Sequence, residues 1–99
     1  MVSDEMRTVF YTTLAAIPSG HYCSYGDIAK LSGVHARQVL AWLRKLPADS
    51  NLPWFRLVTS QRRIADYPGY QKQLRLLAKE GLIPEHNGRF PRHLRWPNE

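Results

Sequence analysis

The side chains best suited to covalent or metal chemistry in this chain are one cysteine, Cys23, and four histidines, His21, His35, His86 and His93. Thiolates and imidazoles act as nucleophiles, bases and zinc ligands in proteins. Paired zinc ligands are typically separated by two to four residues on a turn, and these five residues lack that spacing. The chain also has no glycine-rich loop of the kind that cradles phosphates. We therefore expect neither a metal nor a cofactor.

A second candidate is the motif Pro53-Trp54-Phe55-Arg56, sixteen residues downstream of Arg37, which falls in a helix-turn-helix-like stretch. The motif resembles Pro-Cys-His-Arg, the acceptor motif in the carboxy-terminal DNA-binding domain of O6-alkylguanine-DNA alkyltransferases, where the cysteine is the nucleophile. Trp54 stands in the cysteine's place, and an indole has a weak N–H donor and no usable nucleophile. The chain thus resembles the alkyltransferase-like proteins, which keep the fold and only sense damage, and we expect no enzymatic activity.

The resemblance extends along the chain and assigns a role to Arg37. The family-like positions are Tyr25, Ala29, Gly33, Ala36, Arg37, Val39, Pro53, Arg56 and Glu80. In the family, an arginine in the first turn of the recognition helix enters the minor groove and fills the gap left by a flipped base. A planar cation can stack on the neighbouring bases there. The alternative is a solvated arginine at a helix start.

Two aromatic residues are expected to form the lesion pocket. Tyr25 matches the tyrosine that, in the family, presses on the backbone beside the target base, and the alternative is a tyrosine that simply packs in the second helix. Trp54 is interpreted as a wall against which an extruded alkylated base stacks, or as a core filler that replaces the cysteine.

Residues 59–69 align with the segment that covers the base pocket in the family. Tyr67 falls on the family tyrosine, whereas Pro68 replaces a serine whose amide would approach the O6 atom, and proline has no N–H to offer. A lid without that donor is expected to read the lesion by shape. Arg62 and Arg63 are candidate contacts to the alkyl group or to a phosphate, and the alternative is a solvated pair of loop residues.

Departures from the family pattern remove the remaining catalytic groups. Phe55 replaces the histidine that would act as base, and Leu46 replaces an asparagine that orders the active-site turn. Of the polar relay only Glu80 remains, and we expect it to pair with an arginine such as Arg56. The resemblance also implies that Arg56 belongs to the lesion pocket.

Two amphipathic helices are expected in the first third of the chain. The first begins near Ser3 and Asp4 and turns one apolar face inward, formed by Met6, Val9, Phe10, Leu14 and Ile17. The second begins with a capping-box-like Ser24 and Asp27 and ends at Gly33. Its predicted inward residues are Ile28 and Leu31.

The third helix, residues 36–46, is expected to be the recognition helix. It contains neither glycine nor proline and has an apolar side made by Val39, Leu40 and Leu43. Phe55, Leu57 and Val58 predict a short buried strand or extended segment, and a final helix follows from Gly69 to Glu80. The tail, residues 82–99, is punctuated by prolines and is expected to be pinned to the core by Leu82, Ile83, Phe90, Leu94 and Trp96.

Composition favours a nucleic-acid partner. Fourteen Lys and Arg against eight Asp and Glu give a net charge of +6 and a pI near 9.9, a balance that favours phosphate backbones through counterion release. The start of the sequence lacks signal-peptide features, and no apolar run approaches the roughly 20 residues that span a bilayer. We expect a cytoplasmic protein, nucleoid-associated in a bacterium, with no membrane contact.

Taken together, the sequence predicts a mainly α, winged-helix-like DNA-binding domain over residues 1–99, monomeric, with a helix-turn-helix and short extended segments. Its expected partner is duplex DNA containing O6-alkylguanine, and family resemblance adds nucleotide excision repair proteins. The predicted DNA-binding residues are Tyr25, Ala36, Arg37, Gln38, Ala41 and Arg44. The predicted lesion pocket consists of Tyr25, Trp54, Arg56, Tyr67 and Pro68.

Two other functions remain open at the level of sequence. A winged-helix transcription regulator would share the helix-turn-helix but would read one operator sequence in the major groove. An alkyltransferase with a different acceptor, such as Cys23, would transfer the alkyl group stoichiometrically. The sequence shows no residue that is placed to act as a general base for Cys23.

Overall fold

A computed structural model describes residues 4–47 and 50–97 of the chain, and Ser3, predicted at the start of the first helix, lies outside them. The described part is mainly helical, as predicted. Its helices are α1 Asp4–Ala16, α2 Tyr25–Ser32, α3 Ala36–Arg44 and α4 Tyr70–Lys79. Two single 3₁₀ turns occupy Trp54–Arg56 and Arg92–Leu94.

Local capping interactions fix the helix-turn-helix formed by α2 and α3. The side chain of Ser24 accepts a hydrogen bond from the amide of Asp27 at 3.0 Å, as the capping-box spacing predicts. Gly33 ends α2 with φ of 73°, the left-handed conformation that glycine adopts without a steric penalty. The turn then leads to His35, whose ring Nδ1 accepts from the amide of Arg37 at 3.1 Å. These contacts set where α3 begins.

The third helix ends earlier than the sequence predicted. Its last residue is Arg44 rather than Leu46. The amide of Leu46 bonds the carbonyl of Leu43, three residues back, so the last turn tightens instead of continuing as an α-helix. Pro47 follows, and a residue before proline is disfavoured in the helical conformation.

A minimal parallel sheet joins two distant parts of the chain. Strand β1, Cys23–Ser24, pairs with strand β2, Leu57–Val58, in the register Cys23 to Leu57 and Ser24 to Val58. The tail extends this edge through a bridge between Tyr22 and Arg95. The predicted extended segment is therefore confirmed at Leu57 and Val58, whereas Phe55 belongs to the preceding 3₁₀ turn.

The sheet lies between two hydrophobic clusters. The first is formed mainly by α1, α2 and α3, and its buried members are Phe10, Leu14, Ile17, Cys23, Ile28, Ala29, Val39, Trp42 and Leu57. The second joins the loop after β2, α4 and the tail, with buried members Tyr22, Val58, Ile64, Leu77, Leu82 and Phe90. Neighbours in sequence, such as Leu57 and Val58, belong to different clusters because successive strand residues point to opposite faces.

Four predicted inward residues are instead exposed. Val9 is 46% exposed, Leu31 47%, Leu40 38% and Ile83 64%. The short helices bury only a narrow stripe, because each packs against few neighbours. In α3 that stripe is Val39 and Trp42, whose indole packs 5.3 Å from the ring of Phe10. Leu40 consequently turns away from the core. The tail is pinned by Leu82 and Phe90, as predicted.

Candidate nucleic-acid interface and base pocket

A cavity of about 490 Å³ opens beside α3. We call it the base pocket, after the role that the sequence predicts for its residues. Its walls come from α2, α3, the 3₁₀ turn after Pro53, the loop 59–69 and α4. The lining residues are Tyr25, Leu40, Leu43, Arg44, Trp54, Ala65, Tyr67, Gly69, Lys72 and Gln73. Three aromatic side chains, Tyr25, Trp54 and Tyr67, therefore border one space, although they are far apart in sequence.

Trp54 forms part of the pocket wall and is half-buried. Its amide bonds the carbonyl of Leu52 at 2.8 Å, which folds the chain back before the 3₁₀ turn. The next residue, Phe55, meets the indole edge-on, with ring centroids 5.8 Å apart and an angle of 88° between the planes. Phe55 also packs against the second hydrophobic cluster. This packing leaves the indole as an available stacking surface.

The sequence reasoning missed Gln73, which fixes Tyr67 in the pocket. The hydroxyl of Tyr67 donates to Gln73 Oε1 at 2.8 Å. Gln73 Nε2 in turn donates to the carbonyls of Phe55 at 2.9 Å and Leu57 at 2.8 Å. The residue is 2% exposed, so its amide links the loop, α4 and the segment that carries Trp54 in a dry environment. A polar residue four positions before the buried Leu77 was the available signal.

Gly69 allows the close approach of Tyr67. A Cβ atom added at Gly69 would lie 2.4 Å from Tyr67 Cε2, well inside van der Waals contact. The residue before it, Pro68, is exposed and is not among the residues that line the base pocket. The loop thus contributes Ala65, Tyr67 and Gly69 to the pocket, rather than the predicted Pro68.

The tyrosine hydroxyls of the pocket are neutral hydrogen-bonding groups. Burial raises the pKa of Tyr25, and the neighbouring Tyr67 raises it further. Burial likewise raises the pKa of Tyr67. Since an unperturbed phenol already has a pKa near 10, both side chains stay protonated at physiological pH. Both side chains present an apolar ring face to the cavity. The one O–H proton of Tyr67 is already donated to Gln73.

Five of the six predicted DNA-binding residues lie on α3, and the sixth, Tyr25, begins α2. Arg37 is exposed in the first turn, and Arg44 is exposed near the end of the helix, where it also lines the base pocket. The other three members of this set on α3, Ala36, Gln38 and Ala41, are half-buried. Arg44, together with Tyr25 of the neighbouring helix, connects this surface to the base pocket.

Arg56 was predicted in the lesion pocket, but it is not among the residues that line the base pocket. Its Nε donates to Glu80 Oε1 at 3.0 Å, its Nη2 pairs with Glu80 Oε2, and its Nη1 donates to the carbonyl of Ile17 at 2.7 Å. The amide of Gly20 donates to the same carboxylate at 3.1 Å. The predicted pairing of Arg56 with Glu80 is thus present, and it ties α4 to the end of α1.

The electrostatics of Glu80 agree with a structural role. Burial acts to raise the pKa of this carboxyl group, but the hydrogen bonds from Arg56 and Gly20 outweigh burial and bring the pKa below its ordinary value. A carboxylate held in its charged form by a guanidinium is poorly suited to act as a general base near neutral pH.

The two lid arginines face different surfaces, and neither is among the residues that line the base pocket. Arg62 contributes to a separate groove with Arg89, Arg92 and Arg95. Arg63 Nη2 donates to the carbonyl of Asn87 at 2.9 Å. Contacts from either side chain to an alkyl group in the pocket therefore find no support in this arrangement.

Cys23 is unsuited to accept an alkyl group. It is fully buried in the first hydrophobic cluster. Burial, assisted by the nearby carboxylate of Asp27, raises the pKa of the thiol to about 12. The reactive thiolate is therefore scarce at neutral pH, and the sulfur has no access to the base pocket.

Within residues 4–47 and 50–97, no cluster of three or more His, Cys, Asp or Glu side chains is placed to hold a metal ion. Over the same residues, no helix has the length and apolar character needed to cross a membrane.

Comparison with known proteins identifies the family of this chain. Residues 5–82 match the family model described as 6-O-methylguanine DNA methyltransferase, DNA binding domain. The DNA base-flipping protein of Escherichia coli is 40% identical over 97 residues, which cover 94% of this chain and 75% of that protein. The alkyltransferase-like protein 1 of Schizosaccharomyces pombe is 33% identical over 87 residues, covering 83% of this chain and 81% of that protein.

Solved structures show the same fold. The S. pombe protein Atl1, in complex with damaged DNA containing O6-carboxymethylguanine, superposes with a TM-score of 0.83 at 29% identity, covering 99% of this chain and 100% of that chain. A variant of Mycobacterium tuberculosis OGT matches with a TM-score of 0.65 at 26% identity, covering 87% of this chain and 53% of that chain. The mainly helical, helix-turn-helix architecture is therefore shared with both proteins.

Proposed function

Because this chain belongs to the family of the 6-O-methylguanine DNA methyltransferase DNA-binding domain, we propose that it binds O6-alkylguanine in duplex DNA by flipping the damaged nucleotide, without transferring the alkyl group. The observation that carries the proposal is the base pocket, where Tyr25, Trp54 and Tyr67 surround one cavity beside the recognition helix. Relatives whose names refer to base flipping and a relative bound to damaged DNA support this assignment.

The size and lining of the base pocket suit a flipped base. Its volume of about 490 Å³ falls within the roughly 300–1,000 Å³ usual for small-molecule sites. Stacking on an aromatic side chain contributes about 1–3 kcal/mol per base. That gain offsets part of the few kcal/mol needed to unstack and unpair a nucleotide, a cost that is lower for a damaged base.

Arg37 completes the flipping step in this proposal. It is exposed in the first turn of α3, and Arg44, near the end of the same helix, lines the base pocket. A guanidinium can stack between bases and donate to their edges, so it can occupy the space that the extruded nucleotide leaves. The helix dipole also favours DNA phosphates near the amino-terminal end of α3.

The proposal includes no alkyl transfer because no cysteine thiol lines the base pocket. Trp54 occupies the pocket wall at the motif position of the enzymes' cysteine, and Cys23, the one thiol of the chain, is sealed in the core. The complex then persists as bent, marked DNA. The proposed consequence is a signal to nucleotide excision repair from a monomer acting in the cytoplasm or at the nucleoid.

The test compares two duplexes that are identical except for one O6-methylguanine, at physiological salt, so that the nonspecific phosphate contribution cancels. We expect tighter binding to the lesion duplex, and intact-mass measurements of protein and DNA that show no transferred alkyl group. Arg37→Ala should abolish the lesion preference. Lys30→Ala, which removes an exposed cation from α2, is the matched control and should retain it.

Each other outcome points to an alternative. Equal affinity of the wild type for both duplexes would contradict lesion binding and favour a sequence-reading transcription regulator. A stoichiometric mass increase of the protein would identify an alkyltransferase that uses an unexpected acceptor.

A further inference from the structure

Four arginines from two separate segments converge on one groove. We call it the arginine groove; it has a volume of about 570 Å³ and is lined by Ser60, Gln61, Arg62, Arg89, Arg92, Arg95 and Pro97. Arg62 comes from the turn after β2, and the other three come from the tail. None of these residues lines the base pocket. The arginine groove is therefore a second surface that the proposed lesion recognition does not use.

The groove is strongly positive. Arg95 pairs with Asp27, whereas Arg62, Arg89 and Arg92 form no ion pair within residues 4–47 and 50–97. Three of the arginines, Arg62, Arg92 and Arg95, also lie near enough to the hydroxyl of Tyr22 to act on it electrostatically. A concave surface lined by charges of one sign focuses the field and attracts counter-ions.

Arg62 is held in a backbone conformation that non-glycine residues rarely adopt. Its φ is 64°, in the left-handed region that usually favours glycine or asparagine. Two backbone hydrogen bonds hold it there: its amide donates to the carbonyl of Thr59 at 2.9 Å, and its carbonyl accepts from the amide of Phe90 at 2.7 Å. An arginine retained in an unfavourable conformation suggests that the side chain itself is needed.

The side chain of Arg89 contains a buried hydrogen-bond donor that lacks an acceptor among the described residues. Its Nε is buried and has no hydrogen-bond partner in the part of the chain that the structure describes. A buried donor without a partner carries a desolvation cost, so such groups usually mark a site completed by water, an ion or a ligand. Arg89 also lines the arginine groove, so this unpartnered donor belongs to a side chain of the same surface.

We propose that the arginine groove binds the phosphodiester backbone of the same duplex, at a place separate from the base pocket. The inference rests on the proposed function in taking duplex DNA as the partner. Guanidinium, hydroxyl and amide donors are the groups that proteins use on phosphate oxygens. A peptide-binding site of similar size would be expected to offer aromatic anchors and a core depleted of charge.

The fold keeps the groove within reach of a duplex docked at the base pocket. Arg95 is tied to Asp27 in the first turn of α2, and Tyr25 at the start of that helix lines the pocket. The longest dimension of the Cα framework is 41 Å, close to the 34–36 Å of roughly one turn of B-DNA. The base pocket and the arginine groove are therefore separated by no more than about one helical turn of a duplex.

The first test measures the salt dependence of binding to an undamaged 24-base-pair duplex for the full chain. Each lost phosphate contact lowers the slope of log K against log salt by about 0.9. The double variant Arg62→Gln/Arg92→Gln should therefore lose about two units of slope and bind at least tenfold more weakly at low salt. The control Arg75→Gln/Lys79→Gln removes the same charge from exposed positions of α4 outside both sites and should retain the slope.

Equal slopes for the two double variants would overturn the proposal. A second measurement uses only the wild type, in case the groove variant does not fold. Phenylglyoxal modification followed by peptide mass spectrometry should show that the undamaged duplex protects Arg62 and Arg92 but leaves Arg75 reactive. Absence of this protection would also overturn it.

These results separate the arginine groove from the lesion-binding proposal. The ratio of affinities for lesion and undamaged duplexes should be the same in the groove variant and in the wild type. If the wild type shows no lesion preference, the proposed function fails, whereas the slope and the protection pattern on undamaged DNA still decide the role of the groove. Capture of an acidic peptide with no effect of duplex DNA on Arg62 would assign the groove to a protein partner instead.

Discussion

Trp54 and Arg56 lie two residues apart on one 3₁₀ turn, yet they serve different regions of the molecule. Trp54 lines the base pocket, whereas Arg56 bonds Glu80 and the carbonyl of Ile17 in a partly buried ion pair. The first region surrounds a cavity with aromatic rings, and the second holds α4 against the end of α1. The contrast teaches that two residues of one short turn can divide between the wall of a cavity and a structural ion pair.

The sharpest way to test this division is Arg56→Ala. Removing one partner of a buried ion pair leaves the other charge without compensation, and we expect a loss of about 3 kcal/mol in the free energy of unfolding. The measurement is urea denaturation. Arg7→Ala is the control, since it breaks the exposed pair between Arg7 and Asp4 and should cost less than about 1 kcal/mol. Equal losses for the two variants would show that the Arg56 pair is not a structural anchor.

Trp54→Ala tests the role of the base pocket. Loss of the stacking surface should remove about 1–3 kcal/mol of binding free energy, which is a roughly fivefold to 150-fold decrease in affinity for the lesion duplex. Because the indole is only half-buried, the unfolding free energy should change less than in Arg56→Ala. Fluorescence anisotropy with both duplexes checks the first expectation. Trp54→Phe keeps an aromatic face and should recover much of the preference; unchanged lesion binding by Trp54→Ala would remove Trp54 from the site.

A smaller effect is expected from pH. The pKa of Glu80 in the folded protein lies below its ordinary value of 4.5, so the folded state binds this proton less readily than the unfolded state. The resulting stabilisation is fully present above pH 4.5 and declines as the pH falls through the folded pKa. Thermal unfolding of the wild type and Glu80→Gln between pH 7 and pH 3 checks this sign. The difference in Tm between them should narrow on acidification, and a widening difference would contradict it.

Most of the fold was predictable because its signals are local. The cap at Ser24 and the left-handed Gly33 each depend on only a few neighbouring residues, and together they define the helix-turn-helix. Val9 and Leu31 were predicted to face the core, and this prediction is wrong because both are exposed. Periodicity shows which residues share a helix face, but only tertiary packing decides which part of a wide apolar face is covered.

The resemblance to the family predicted which positions lie near the cavity. It did not predict the direction in which each side chain points. Tyr25, Trp54 and Tyr67 were each assigned to the pocket, and all three line the cavity. Arg56 was assigned there too, but a 3₁₀ turn has three residues per turn, so side chains two residues apart point about 120° apart. Gln73 was missed because its hydrogen bonds join segments up to eighteen residues away, and neither composition nor periodicity records such a link.

Because Cys23 is buried, the protein can be labelled with a thiol-reactive dye at one chosen surface position. Since Cys23 is the one cysteine of the chain and lies inside the first hydrophobic cluster, thiol reagents should leave the native protein unmodified. A cysteine introduced at an exposed position, such as Lys30 on α2, would then be the sole labelling site. A dye attached there would report distances to a labelled duplex from the otherwise unaltered wild-type chain.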